Sequence, residues 1–229
     1  MPPGGAQRST GNILGFAASS DSPRVRDLLD RGLAELGLAV GASEREALVG
    51  LANLLETWSE RMNLTGHRSA EAIVHRLVLD AAALATCLPD VDRLADVGSG
   101  AGFPGLPLAI LRPHCRVTLI EARRKRHHFQ RAAVRELGLV NAEPLHGRAE
   151  ELSPRPHAAA VAQALAPPAR AIPWLLPWVA DGGLVLLLRS ATPADVPEIP
   201  GVRAEGFDRY RVPLGGPERT LWWGRRCAT

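Results

Sequence analysis

A chain of 229 residues is long enough for one domain with a full hydrophobic core and a modest appendage. Its 27 basic and 24 acidic residues give a formal charge of +3, but Lys125 is the single lysine; so arginine-rich a composition says little about partners, and only local clustering bears on nucleic-acid binding. Cys87, Cys115 and Cys227 are far apart with no C-x-x-C, which argues against a zinc site and a disulfide framework and for a reducing cytoplasm, and no apolar run approaches a membrane span.

Residues 1–22 are rich in Gly, Pro and Ser and lack periodicity, which predicts a disordered leader; the apolar patch from Ile13 to Ala18 is too short for a signal sequence. From Pro23, the residues Val25, Leu28, Leu29, Leu33 and Leu36 share one helical face that stops near Gly37. Ser43 and Glu46 have the spacing of a capping box, and behind them Leu48, Leu51, Leu55, Trp58 and Met62 recur at alternating threes and fours. After Asn63-Leu64-Thr65-Gly66 a third helix is expected from Ser69 to Leu88, with Ile73, Leu77, Leu84 and Leu88 inward. Residues 23–90 thus read as an N-terminal helical cap.

From Arg93 strand and helix alternate, the pattern of a parallel sheet covered by helices on both faces. Strands are expected at Arg93–Val97, Arg116–Ile120 (leading into Glu121), Ala142–Leu145, Ala158–Leu165 and Gly183–Leu188. Helices are expected at Leu106–Leu111 and Arg123–Leu137, the second stopped by Gly138. Val202–Val212 and Arg219–Gly224 read as an antiparallel hairpin on the sheet edge. Residues 91–229 are therefore expected to form an α/β, Rossmann-like, doubly wound and mostly parallel sheet.

The first strand runs into Asp96-Val97-Gly98-Ser99-Gly100-Ala101-Gly102-Phe103-Pro104-Gly105. Glycines at such a turn let a flat ligand approach the backbone, and the helix behind adds N–H groups and the positive end of its dipole. Two ligands compete for this cradle. Gly100, Gly102 and Gly105 satisfy the G-x-G-x-x-G spacing of a dinucleotide site, with Glu121 near the place of a ribose-binding acid. Asp96-x-Gly98-x-Gly100-x-Gly102, however, puts a carboxylate beside the turn. That charge opposes a pyrophosphate and attracts the ammonium and sulfonium of S-adenosylmethionine, which is the reading adopted. Asp96 is then expected to hold the donor's ammonium, directly or through water, and Glu121 to accept both ribose hydroxyls. Glu121 equally suits the first turn of the helix that follows. Ala149 and Glu150, just past the third strand, place a backbone N–H near the adenine edge, although spacing alone makes Glu150 a helix-start acid as readily.

For the acceptor, Ala166-Pro167-Pro168-Ala169 has the prolines but neither the polar residue nor the aromatic of enzymes that methylate exocyclic amines. None of the three cysteines follows a proline, as carbon methylation of pyrimidines would require. A guanine N7 already presents an in-plane lone pair, so placement suffices and no catalytic general base is expected. His127 and His128 are adjacent, wrong for joint metal binding on a helix, and no metal is expected. The run Arg123-Arg124-Lys125-Arg126-His127-His128, continued by Arg131 and Arg135, either binds phosphates or is a solvated helix face.

The stretch from Asp96 to Ile110, with Pro104, Pro107 and the following Arg112-Pro113, closely resembles the signature of the small-subunit rRNA guanine-N7 methyltransferases, once called glucose-inhibited division protein B. The resemblance runs from about Trp58 to Arg189 and includes Asn63-Leu64-Thr65 and Arg76…Asp80. It implies a class I S-adenosylmethionine-dependent methyltransferase fold with a helical cap, acting on N7 of a guanine in the 530 loop of 16S rRNA (guanine 527 in the usual rRNA numbering). The cofactor would be S-adenosylmethionine, the partner 16S rRNA or the small ribosomal subunit, and the protein a cytoplasmic monomer. Taking the residue reading and the resemblance together, cofactor contacts are expected at Asp96, Gly98, Gly100, Gly102, Phe103, Glu121, Ala149, Glu150 and Gln163, and RNA contacts at Arg76, Arg123, Lys125, Arg126 and Arg189. The chain departs from the family at the substrate-facing rim. Arg-His-x-x-Asp-Ser becomes Arg76-Leu77-Val78-Leu79-Asp80-Ala81, Ser-Arg-Ala becomes Ala162-Gln163-Ala164, and a lysine becomes Arg189. Two other readings follow: a methyltransferase turned to another RNA or a small molecule, and a non-catalytic, cofactor-binding RNA-associated protein.

Overall fold

The expected stripes meet at the start of the chain in the computed structural model, which describes residues 23–190 and 196–228; the expected leader lies outside them. Helix α1 (Pro23–Glu35) buries Val25, Leu29 and Leu33, and α2 (Ala42–Met62) buries Leu48, Leu51 and Leu55. The capping box does not form. Helix α2 begins at Ala42 with Gly41 as its N-cap, so Ser43 lies inside the first turn and Glu46 faces Arg26 at 3.8 Å. The single helix expected over Ser69–Leu88 is three segments: α3 (Ala70–Ile73), a π-helical turn (Val74–Val78) and α4 (Leu79–Cys87). Ser69 caps the start, its hydroxyl accepting the Ala72 N–H at 3.2 Å. A π turn carries extra residues and rotates the side chains that follow. Leu77, expected in the core, is accordingly half-buried on the wall of a cleft, and Asp80 is turned inward.

Seven strands make one sheet: β1 (Arg93–Val97), β2 (Arg116–Glu121), β3 (Ala142–His146), β4 (His157–Gln163), β5 (Val179–Ser190), β6 (Val202–Arg211) and β7 (Glu218–Arg226). Their order is β3-β2-β1-β4-β5-β7-β6. The first five are mutually parallel, and β7 lies antiparallel between β5 and β6, so the expected C-terminal hairpin is present with its second strand inside. Strand β4 and the Val185–Leu188 run of β5 are buried on both faces, as central parallel strands must be. Strand β4 stops at Gln163 rather than Leu165, because Ala164 turns into the left-handed region (φ 50°). Strand β5 starts earlier than expected, at Val179.

Between the strands run α5 (Gly105–Leu111), α6 (Arg124–Glu136) and α7 (Pro168–Leu175). The last was not expected from its prolines. Pro168 occupies the first turn, where a helix needs no N–H, and the apolar residues Ala171, Ile172 and Leu175 bury the inner face. The cap helices share a core with one sheet face, where Trp58 meets Phe129 edge-on at 5.7 Å. The other face packs around Trp178, which is fully buried. Strand order reverses direction between β1 and β4, and in such sheets ligands bind at the carboxyl ends beside that point.

Candidate active site

At the carboxyl end of β1 the glycine-rich turn takes the left-handed conformations the sequence calls for: Gly98 has φ 73°, Gly100 φ 59° and Gly102 φ 87°. A Cβ at Gly98 would run into the side chain of Leu165, and one at Gly102 into Leu106. The turn's donors are directed into the protein. Gly98 and Ser99 N–H reach the Ile120 carbonyl (2.9 and 3.0 Å), while Gly102 and Phe103 N–H reach that of Ser99 (2.8 and 3.0 Å). Gly100 N–H is held by Glu121 at 2.8 Å and Gly105 N–H by Asp96 at 2.9 Å. A pyrophosphate site works by turning such N–H groups outward to the anion. Here they are engaged, and a carboxylate stands in front of them.

That carboxylate belongs to Glu121. Asp96 is fully buried beneath the turn and does not line the cleft, which corrects the expectation that it meets the ligand at the mouth. Its Oδ2 holds the Gly105 N–H, and its Oδ1 has no hydrogen-bond partner among the described residues. Burial pushes this carboxyl up to about 7; the Gly105 hydrogen bond opposes the shift and the Glu121 charge adds to it. Glu121, at the end of β2, lines the cleft although only 5% exposed. Its Oε1 accepts the Arg123 N–H at 2.6 Å and its Oε2 that of Gly100. Both sequence readings of Glu121 therefore coexist: it tethers the start of α6 and still faces the ligand space. Each oxygen keeps a further lone pair. Gln130, on α6, braces the same turn by donating to Ser99 Oγ and the Gly100 carbonyl, both at 2.8 Å.

The cleft has a volume of about 940 Å³ and takes in Gly98, Gly100, Phe103, Glu121, Ala149, Glu150 and Gln163, which the sequence reading had separated by as many as sixty-odd positions. Gly102 is not on its wall and serves the packing of the turn. Glu150 is exposed, 3.8 Å from Arg148, whereas Ala149 is buried. The Ala149 carbonyl accepts the indole N–H of Trp178 at 3.2 Å. The Trp178 carbonyl in turn lies 3.2 Å from His157 Nδ1, and His157 Nε2 lies 2.8 Å from the Thr118 hydroxyl. A carbonyl only accepts, so Nδ1 carries the proton and Nε2 accepts from Thr118; burial lowers the His157 pKa and keeps the ring neutral. This buried chain escaped the sequence reading because its members lie on separate elements with no shared spacing.

Of the cations expected to meet RNA, Arg123 and Arg126 line the cleft and Lys125 is exposed beside them on α6. Arg76 is exposed on the π turn, outside the cleft wall. Arg189 borders a second cavity of about 330 Å³, which shares Gln163, Ala164 and Leu165 with the wall of the cleft. At that junction Asp80, 3% exposed, accepts from Tyr210 Oη at 3.1 Å and from Arg219 Nε and Nη2 at 3.2 and 3.1 Å. The Gln163 amide also hydrogen-bonds to it. Burial raises the Asp80 pKa, and these partners pull it back down. Arg219 thus brings from β7 a guanidinium to the segment where Gln163 stands in place of the family's arginine. Its signal is register, since it pairs with Ser190 across β5–β7, and register is invisible before the sheet is assembled.

Among the described residues there is no group of three or more His, Cys, Asp and Glu side chains able to hold a metal, and no helix is long and apolar enough to cross a membrane.

Residues 44–199 match the family model described as rRNA small subunit methyltransferase G. A curated relative of that name from Chromohalobacter salexigens is 42% identical over 180 residues, covering 78% of this chain and 86% of the relative. Another, from Halorhodospira halophila, is 36% identical over 205 residues, covering 89% and 98%. Among solved structures, a variant of MtNAS in complex with S-adenosylmethionine superposes with a TM-score of 0.53 at 16% identity, covering 89% of this chain and 88% of that one. The likeness is one of fold: a mostly parallel, Rossmann-like seven-stranded sheet.

Proposed function

The chain belongs to the family of rRNA small subunit methyltransferase G, and from that premise we propose that it transfers a methyl group from S-adenosylmethionine to N7 of a guanine in 16S rRNA. The observation that carries the cofactor reading is the inward direction of the turn's N–H groups behind the Glu121 carboxylate. A phosphate ligand would meet repulsion there and few donors, whereas a cationic sulfur nucleoside meets a favourable charge and Glu121 lone pairs. Gly98 and Gly100 lie on the cleft wall with no side chain between backbone and ligand, which suits such a group.

In this assignment Glu121 accepts the ribose hydroxyls and the backbone at Ala149–Glu150 meets the adenine edge, its carbonyl fixed by Trp178. Phe103 closes the turn side, and Asp96 acts from below by holding Gly105. Bound there, S-adenosylmethionine supplies a methyl carbon on a positively charged sulfur. The protein's part is placement: guanine N7 needs no deprotonation, so in-line alignment and exclusion of water provide several kcal/mol without a general base. Arg123, Lys125, Arg126, Arg189 and Arg76 hold the RNA backbone. Residues 23–90 form the cap of a catalytic unit spanning 91–229, and the protein works as a cytoplasmic monomer on the 530-loop guanine. The non-catalytic reading drew on charge lost at the rim, and the Arg219 guanidinium weakens it.

Incubating the protein with 16S rRNA and a tritiated methyl donor, then digesting the RNA to nucleosides, tests the activity. The label is expected in 7-methylguanosine. Label in another nucleoside, or none, contradicts the proposal.

A further inference from the structure

The cavity at the ends of β4 and β5 borders the donor cleft, the two sharing Gln163, Ala164 and Leu165 as lining. Its volume of about 330 Å³ suits a base-sized ligand, against about 940 Å³ for the cleft. The walls are apolar: Leu165 and Ala166 from the loop after β4, Ala171 from α7, and Leu187 and Leu188 from β5. Four polar residues interrupt them: Gln163, Arg189, Ser190 and Arg219. Gln163 and Arg219 converge through Asp80, and Arg189 stands at the border.

Of the two inner groups, Arg219 is held by Asp80. The Gln163 amide stabilises the charged form of the same buried carboxylate, and an amide that turns its N–H to that acceptor leaves its oxygen for another donor. Arg219 gives Asp80 its Nε and one Nη2 hydrogen, and its Nη1 has no hydrogen-bond partner among the described residues. An acceptor therefore sits beside a held donor, in a slot with mostly apolar faces.

Resting on the function proposed above, we infer that this cavity receives the acceptor base swung out of its RNA stack, and that Gln163 and Arg219 select guanine. On the guanine edge N1–H, a donor, adjoins O6, an acceptor, which matches the pair. Adenine presents the reverse, an acceptor N1 beside a donor amine, and would leave both protein groups unpaired. Bases that undergo chemistry must leave the stack, and apolar walls with edge contacts are how such pockets hold them. Arg189 is placed to meet a phosphate flanking the extruded nucleotide. Arg219 is thus a specificity-determining residue, positioned from the cap by Asp80, which Tyr210 of β6 also holds.

Ala166 lines this cavity but not the donor cleft, so Ala166→Phe fills one and spares the other. Calorimetry with S-adenosylmethionine and methyl transfer to 16S rRNA are measured on the parent, Ala166→Phe and Arg219→Gln. Parental donor affinity within twofold, with turnover reduced at least 100-fold in Ala166→Phe, is the expected result. Rapid turnover in a donor-binding Ala166→Phe overturns the pocket while leaving the proposed activity standing; a parent that methylates no rRNA overturns that activity itself. Should Ala166→Phe fail to bind donor, Arg219→Gln decides, read on short RNAs carrying guanine, inosine or adenine at the target. Inosine keeps N1–H and O6, so the parent is expected to methylate it within about tenfold of guanine and to reject adenine, and Arg219→Gln to lose at least tenfold in kcat/KM on guanine and inosine alike. Parental kcat/KM and base selectivity in Arg219→Gln refute the inference.

Discussion

Replacing Glu121 by alanine removes two supports at once. Its carboxylate oxygens hold the Arg123 N–H at 2.6 Å and the Gly100 N–H at 2.8 Å, and the side chain is only 5% exposed. Hydrogen bonds to a charged group contribute about 1.5–3 kcal/mol each, and the alanine variant admits some water to the freed N–H groups. A net loss of about 2–4 kcal/mol follows, which for a chain of this length is roughly 5–12 °C in melting temperature. Donor affinity falls as well, by about 1–3 kcal/mol, because the ribose acceptors disappear and the turn loosens. Thermal melts without ligand read the first effect, and calorimetric titration below the variant's melting range reads the second. Glutamine separates them further, since it keeps one acceptor oxygen and should recover part of the stability but little of the affinity. A Glu121→Ala protein that melts with the parent and binds the donor equally well refutes the reasoning. One that melts early but binds normally confines Glu121 to tethering α6.

Trp178→Phe keeps the aromatic bulk but leaves the Ala149 carbonyl without its indole donor; a loss of about 1–3 kcal/mol in stability and a severalfold weaker donor affinity are expected, and unchanged calorimetry refutes the link. Asp96, pushed up to about 7 in the fold, ionises near 3.8 when unfolded. The folded state holds the extra proton between those values, so this group's contribution to stability falls as pH rises from about 4 to 7 and is flat above. Asp96→Asn, whose carbonyl still accepts from Gly105, should therefore gain in melting temperature relative to the parent across that window, and parallel curves count against the assignment. Replacing Arg123 and Lys125 by glutamine should weaken 16S rRNA binding and reduce the logarithmic salt slope by roughly 1.5; an unaltered slope makes this face of α6 merely solvated.

The parallel sheet was legible because its signals are local: apolar runs, a glycine-rich turn at Gly98 and a stop at Gly138 lie within single elements. The C-terminal hairpin was legible for the same reason, though that β7 would insert beside β5 depends on pairing between distant strands. The π turn at Val74–Val78 was not, since the same residues satisfy α-helical periodicity, and the shift of Leu77 out of the core follows from it. Asp96 shows the opposite limit. Its neighbourhood to the glycines is plain in the sequence, but whether its side chain faces the mouth or the floor of the turn is set by how β1 meets α5. The Glu121 tether was half legible, as a helix-start acid. The Thr118–His157–Trp178–Ala149 chain and the Arg219–Asp80 pair join residues from different strands and helices, and only assembly brings them together.

The claim on which the rest stands is that a turn with inward N–H groups and a carboxylate in front of it takes a cationic sulfur nucleoside rather than a pyrophosphate. Side-by-side calorimetric titration of the protein with S-adenosylmethionine and with nicotinamide adenine dinucleotide measures that preference directly. Saturable binding of the sulfonium compound, at least 100-fold tighter than the dinucleotide, is the predicted result. Tight binding of the dinucleotide with no heat from S-adenosylmethionine would contradict it.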